Sequence, residues 1–236
     1  MAAPEWTKAT REWTAAEMAA AKPYPMPESP VQPEAFAPQG GLPDAQVAAP
    51  ITTFPAGLPE GEVGYVNDLS GLSALTSGGA LAPTGYTYPP PFTRYTYYGR
   101  YHKEYPYKTI GKLYFVQNGT AYVCSASSIG NYAIWTAGHC VHAGDGSSSG
   151  WSQYTMFVPG YDNGKARLQR WFGVDLWTLG GWYYNQDLRY DMGGIILAAN
   201  KRKSISQKVG WLGFAYTPDA NGYYAQYHWF GIGYPA

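Results

Sequence analysis

From about Thr109 onward, β-branched and aromatic residues come in short runs, KLYFVQ, TAYVCSAS, YAIWT, QYTMFV and GGIILAA, each broken off by Gly or Asn. Runs of that length and composition predict strands. Asn-Gly pairs at Asn118-Gly119, Asn163-Gly164 and Asn221-Gly222 suit two-residue hairpin turns, because both residues tolerate positive φ. The first pair has strand-like sequence on both sides and predicts an antiparallel hairpin. Before residue 108 the pattern changes. Every proline except Pro159, Pro218 and Pro235 falls there, and stretches such as AKPYPMPESPVQPEAFAPQG and TYPPPF can neither donate regularly to a ladder nor hold a helix. One short helix is predicted near residues 15–22, where Thr14 and Glu17 have capping-box spacing and Pro23 stops the run. No repeat of fixed period is present. Many short strands at close spacing predict an all-β barrel or sandwich without long helices.

Composition sharpens this picture. Charged residues are only 14% of the 236-residue chain and aromatics reach 17%, with 23 Tyr and 9 Trp, which again favours strands over helices. Sixteen basic residues balance sixteen acidic ones, so the chain offers no electrostatic footprint for nucleic acid or for an anionic membrane surface. No apolar run of about 18 residues could span a bilayer as a helix. The start, MAAPEWTKATREWTAAEM, has neither the basic nor the apolar stretch of a secretory signal. Cys124 and Cys140, the two cysteines, exclude a cysteine-only zinc site and leave open either a disulfide or two buried thiols.

The segment between those cysteines, CSASSIGNYAIWTAGHC, resembles the chymotrypsin-fold (trypsin-like) serine endopeptidases. In that family TAGHC or TAAHC follows a strand, its His is the general base, and the adjoining Cys pairs with one just upstream. The resemblance therefore implies that His139 is catalytic and that Cys124 and Cys140 form a disulfide. The CSGS start of the family is matched with Ala126 in place of Gly. A serine hydroxyl needs an imidazole to take its proton, and the imidazole needs a carboxylate to hold one tautomer. The family places that Asp before an apolar strand; YDMGGIIL supplies Asp191, while Asp187, in the polar loop NQDLRY, is the competitor expected to be solvated. MFVPGYDNG, from Met156 to Gly164, resembles the glutamyl-endopeptidase-like branch and reads as a strand, a Pro-Gly turn and a hairpin. The resemblance covers residues from about 109 to the end.

It implies a chymotrypsin-like double β-barrel: a Pro-rich pro-segment or linker over 1–108, a first barrel over 109–200 carrying His139 and Asp191, and only the opening of a second over 201–236. The family's nucleophile motif, GDSGGP or GxSGG, does not occur in the chain. Ser204 and Ser206, in KRKSISQK, read as a solvent-exposed connector and not as the nucleophile. The expectation is a secreted serine endopeptidase acting on polypeptides, whose nucleophile and oxyanion hole lie outside these residues, so that the 236-residue chain is proteolytically silent. The alternative is a non-catalytic, protease-like binding or structural module. No cofactor or metal is expected and the oligomeric state is open. His142 reads as a loop residue, and His102 and His228 as structural groups. Asn118-Gly119-Thr120 reads as a turn before a glycosylation site. The aromatic run WFGVDLWTLGGWYYN reads as core and cross-strand pairs before a sugar-binding platform.

Overall fold

The computed structural model of the chain describes residues 10–25, 52–54, 57, 101–216 and 231–234. In chain order its elements are helix α1 (Ala15–Ala20), strands β1 (Lys22–Pro23), β2 (Thr52–Phe54), β3 (Ile110–Gln117), β4 (Thr120–Gly130), β5 (Ala133–Thr136), β6 (Gln153–Pro159) and β7 (Trp171–Thr178), helix α2 (Gly180–Asn185), strand β8 (Gly193–Leu197), helix α3 (Ile205–Val209) and strand β9 (Phe214–Tyr216). Strands β3 to β8 pair in the order β4-β3-β6-β7-β8-β5, and β5 pairs back onto β4. The ladder closes into a six-stranded antiparallel barrel, which leaves no long open edge. Among the described residues the fold is thus all-β, with one barrel where the sequence predicted the first.

The turn chemistry sets the registers. Asn118 and Gly119 both take positive φ (50° and 74°), joining β3 to β4 with Gln117 opposite Thr120. Asn163 and Gly164 do the same (42° and 87°) in the turn after the Pro159-Gly160 corner, closed by the Asp162–Lys165 bridge. The Asn221-Gly222 pair lies outside the described residues.

Alternation along the strands builds two apolar layers. Leu113 and Phe115 of β3, with Phe157, Trp171, Leu176, Ile134 and Ile195, point into the barrel. Tyr114 of β3 and its partner Met156 of β6 point outward, yet both are fully buried. What buries them is the N-terminal segment: Trp13 and Met18 form a second cluster with Tyr114, Val123, Met156 and Val158. Helix α1 carries the expected capping box between Thr14 and Glu17. The region before residue 108 nevertheless does more than its Pro-rich composition suggests. β1 adds a two-residue parallel strand to β4 at Tyr122–Val123, and β2 pairs antiparallel with β9. Pro23 is tolerated because β1 is an edge strand, where no inward donor is required.

In the C-terminal third, Ile205–Val209 is helical (α3) and ends at Gly210, and within residues 201–216 only Phe214–Tyr216 is strand. Ser204 and Ser206 are buried, not solvent-exposed, because Ser204 and Gln207 form a capping box and Ile205 and Val209, one turn apart, insert into the barrel end. Gly231–Tyr234 of GIGYPA forms no strand; the Tyr234 N–H donates to Ser125 Oγ. Within the aromatic run, Trp171–Thr178 is strand but Gly180–Asn185 is helical, ended by Gln186 in the left-handed conformation.

Candidate active site

The β5–β8 ladder brings the two sequence-predicted groups together. Thr136 at the end of β5 lies opposite Gly193 at the start of β8. His139 follows three residues after the first, in the tight turn Gly138–Cys140, and Asp191 precedes the second by two. The turn sits hard against its neighbours. A Cβ at Gly138 would come within 2.9 Å of Thr178 Oγ1 and of the Trp182 indole, so only glycine lets the turn approach this closely. Thr178 Oγ1 in turn donates to the carbonyl of Met192, next to Asp191.

Both carboxylate oxygens of Asp191 face His139. Oδ1 accepts the His139 backbone N–H at 2.7 Å, and Oδ2 lies 2.8 Å from Nδ1. An ionised carboxylate only accepts, so Nδ1 carries the proton of the neutral ring and Nε2 keeps its lone pair. The side chains are 8% and 14% exposed. Asp187 points elsewhere: it caps the turn Leu188–Tyr190 and binds the Arg189 guanidinium at 2.6 Å. That hydrogen bond holds its carboxyl below the usual range.

The backbone of the His139 turn is fixed from beneath. Cys124 and Cys140 are joined in a disulfide, tying the turn to β4. Buried Gln117 donates through Nε2 to the carbonyl of His139 (3.4 Å) and to Ser152 Oγ (3.1 Å), and Ser152 Oγ donates to the carbonyl of Cys140 (3.0 Å). Two rings flank the imidazole: Tyr24 stacks on it with centroids 5.2 Å apart and planes at 22°, and Trp182 meets it edge-on at 6.1 Å. Gln117 was legible only as one polar residue ending an apolar strand. Ser152, Trp182 and Tyr24 carried no sequence signal.

Other candidates resolve into scaffold. His142 is fully buried; its Nδ1 accepts the Gly144 N–H and its Nε2 donates to the Ser147 carbonyl, so both nitrogens are committed to the loop. Burial pushes its pKa down. His102 Nε2 lies 3.9 Å from Asp162 Oδ2, while His228 is outside the described residues. Cys124, Cys140 and His139 bring three donor atoms within 4.8 Å, but sulfurs in a disulfide offer no thiolate to a metal. Ser204 Oγ accepts from the Gln207 N–H and contacts Ser206 Oγ, and the serines around Ser148 cap their own turn. Among the described residues no serine hydroxyl is hydrogen-bonded to His139.

No protein-family model matches the chain, and no curated protein does. Solved structures do. A thermostable serine protease, AL20, from an extremophilic microorganism is 28% identical over 43% of this chain and 48% of its own, with a TM-score of 0.41. The protease Anisep from Arthrobacter nicotinovorans is 31% identical over 46% of this chain and 50% of its own, with a TM-score of 0.43. A Glu endopeptidase in complex with MPD is 23% identical over 46% of each chain, with a TM-score of 0.39. The matches span about half the length of each of these proteins.

Proposed function

We propose that this chain carries the general-base half of a serine endopeptidase of the trypsin-like, glutamyl-endopeptidase-like type, exported from the cell and acting on polypeptides. The observation that carries the reading is the two-oxygen grip of Asp191 on His139, on both the backbone N–H and Nδ1. That grip presents Nε2 as a proton acceptor. His139 would take the hydroxyl proton of a serine as its Oγ adds to the peptide carbonyl, and return it to the leaving amine as the C–N bond breaks. Water then repeats the sequence on the acyl-enzyme, with His139 again base and then acid. Asp191 stabilises the imidazolium formed at each step. The disulfide and the Gln117–Ser152 network keep the imidazole from drifting during transfer. In this reading residues 1–108 are a pro-segment, 109–200 the barrel of the His and Asp, and 201–236 the opening of a second barrel. The serine and its oxyanion hole come from a GxSGG segment outside residues 1–236.

The test is hydrolysis of a mixed peptide library, with His139→Ala as the control for contaminating protease. The 236-residue chain is expected to be silent, and the chain continued through a GxSGG-bearing second barrel to cleave in a His139-dependent way once residues 1–108 have been cleaved off. Silence of that processed, folded protein would overturn the reading. His139-dependent cleavage by residues 1–236 alone would place the nucleophile among Ser204, Ser206 or the serines near Ser148.

A further inference from the structure

A general base that must meet a nucleophile and a substrate has to be reachable, yet His139 is only 6% exposed. The residue lying on its ring face is Tyr24, from the N-terminal segment. Tyr24 arrives there on a chain held at both ends. Its own N–H donates to the Val123 carbonyl, continuing the parallel β1–β4 pairing along a stretch of β4 whose other side is occupied by β3. Its ring also contacts Phe115 and Tyr122. Eleven residues upstream, Trp13 is 1% exposed, donates Nε1–H to the Tyr154 carbonyl at 2.9 Å, and has its own carbonyl bound by Arg170. Arg11 lies over the rings of Trp13 and Tyr154.

The barrel surface is shaped to receive this segment. Tyr154 takes a left-handed φ of 53°, beside the irregularity in the β3–β6 ladder, a conformation a bulky residue adopts only under constraint. It is the carbonyl of this residue that accepts the Trp13 indole N–H. Tyr114, Met156 and Val158 on the outer face of the barrel form one apolar patch, and Trp13 and Met18 cover it. An outward apolar patch, a strained acceptor and a strand edge beside the imidazole thus share one occupant.

We infer that residues 11–24 are an intramolecular ligand of the His139 site, anchored by Trp13 and Met18 and closed by Tyr24 over the imidazole, so that the site opens only when this segment leaves. Its meaning as inhibition rests on the catalytic role proposed for His139. The cover itself does not. An imidazole under a docked ring reacts with a small electrophile only in the fraction of molecules whose segment is undocked.

The full-length chain is treated with diethyl pyrocarbonate, and acylation of His139 is followed by peptide mass spectrometry, with the fully buried His142 as internal reference. Wild type and Tyr24→Phe, which keeps the ring, should react slowly. Tyr24→Ala and Trp13→Ala should accelerate His139 acylation by at least about tenfold without moving His142. A synthetic peptide of residues 10–25 added to the Trp13→Ala chain should restore protection. Equal rates in wild type, Tyr24→Phe and Tyr24→Ala, with the barrel folded by circular dichroism, would overturn the inference. If Trp13→Ala does not fold, the Tyr24 pair decides alone. The readout needs no hydrolysis, so failure of the cover and failure of the proposed activity are told apart.

Discussion

Replacing both Cys124 and Cys140 by Ala opens the bridge between β4 and the His139 turn, and the size of the loss can be worked from its position. The bridge spans a sequence separation of 16. In the chain-entropy model a loop of that length restricts the unfolded ensemble by about 3 kcal/mol. Cys140 is 2% exposed within the main apolar cluster, so truncation also leaves a small void that adds to the loss. Against a typical domain stability of about 5–15 kcal/mol this is a large fraction. With a urea slope of about 2 kcal/mol/M, the unfolding midpoint of C124A/C140A should fall by about 1.5 M. The hydrogen bonds of Gln117 and Ser152 remain, so the His139 turn loosens without melting out. Paired urea titrations of wild type and C124A/C140A, read by tryptophan fluorescence, measure the shift. A shift below about 0.5 M at unchanged slope would refute the reasoning, because the β4–β5 hairpin would then already confine the loop in the unfolded chain.

Gly193→Ala should cost about 1–3 kcal/mol, since the new Cβ would lie 2.6 Å from Val141 Cγ2 and 3.0 Å from the Ala137 carbonyl, both parts of the His139 turn; an unchanged urea midpoint would count against the close approach. His142 has a pKa lowered by burial below the ordinary 6.5, although Asp145 at 3.9 Å and the Ser147 carbonyl oppose this. The unfolded chain therefore binds a proton there that the folded one resists. Stability from this group is present above pH 6.5 and is lost as pH falls below it, a slope that His142→Gln should flatten in urea midpoints taken between about pH 7 and pH 5. In a hydrolytically competent form of the protein, Asp191→Asn should lower kcat on the order of 10⁴-fold, the scale of the same change in other triad enzymes; a loss under about tenfold would assign His139 a role that needs no orienting carboxylate.

What the sequence made legible was local chemistry: Asn118-Gly119 specified its turn through positive φ, and Thr14 with Glu17 specified the helix start. His139, Asp191 and the cysteines were legible because close neighbours in the chain define their context, and the β5–β8 register then does the assembling. The helix start was legible, but the docking of the N-terminal segment was not. Nothing local marks its partners: Trp13 and Met18 cover an outward patch of β3, β4 and β6, and Tyr24 packs on Phe115, Tyr122 and His139, all distant in the chain. Ser204 misled for a related reason: flanking Lys and Arg suggested solvent, while the capping box with Gln207 and the Ile205–Val209 spacing pointed to a buried helix. The helical turn at Trp182 shows tertiary burial overriding the strand preference of an aromatic run.

The central claim is that Asp191 holds His139 with its proton on Nδ1 and Nε2 free to accept one. Nitrogen-15 spectra of His139 in mildly alkaline solution, recorded for wild type and Asp191→Asn, test it most directly. The predicted result is a neutral ring protonated at Nδ1 in the wild type that loses this preference in Asp191→Asn. A wild-type ring protonated at Nε2, or a tautomer indifferent to Asp191→Asn, would contradict it.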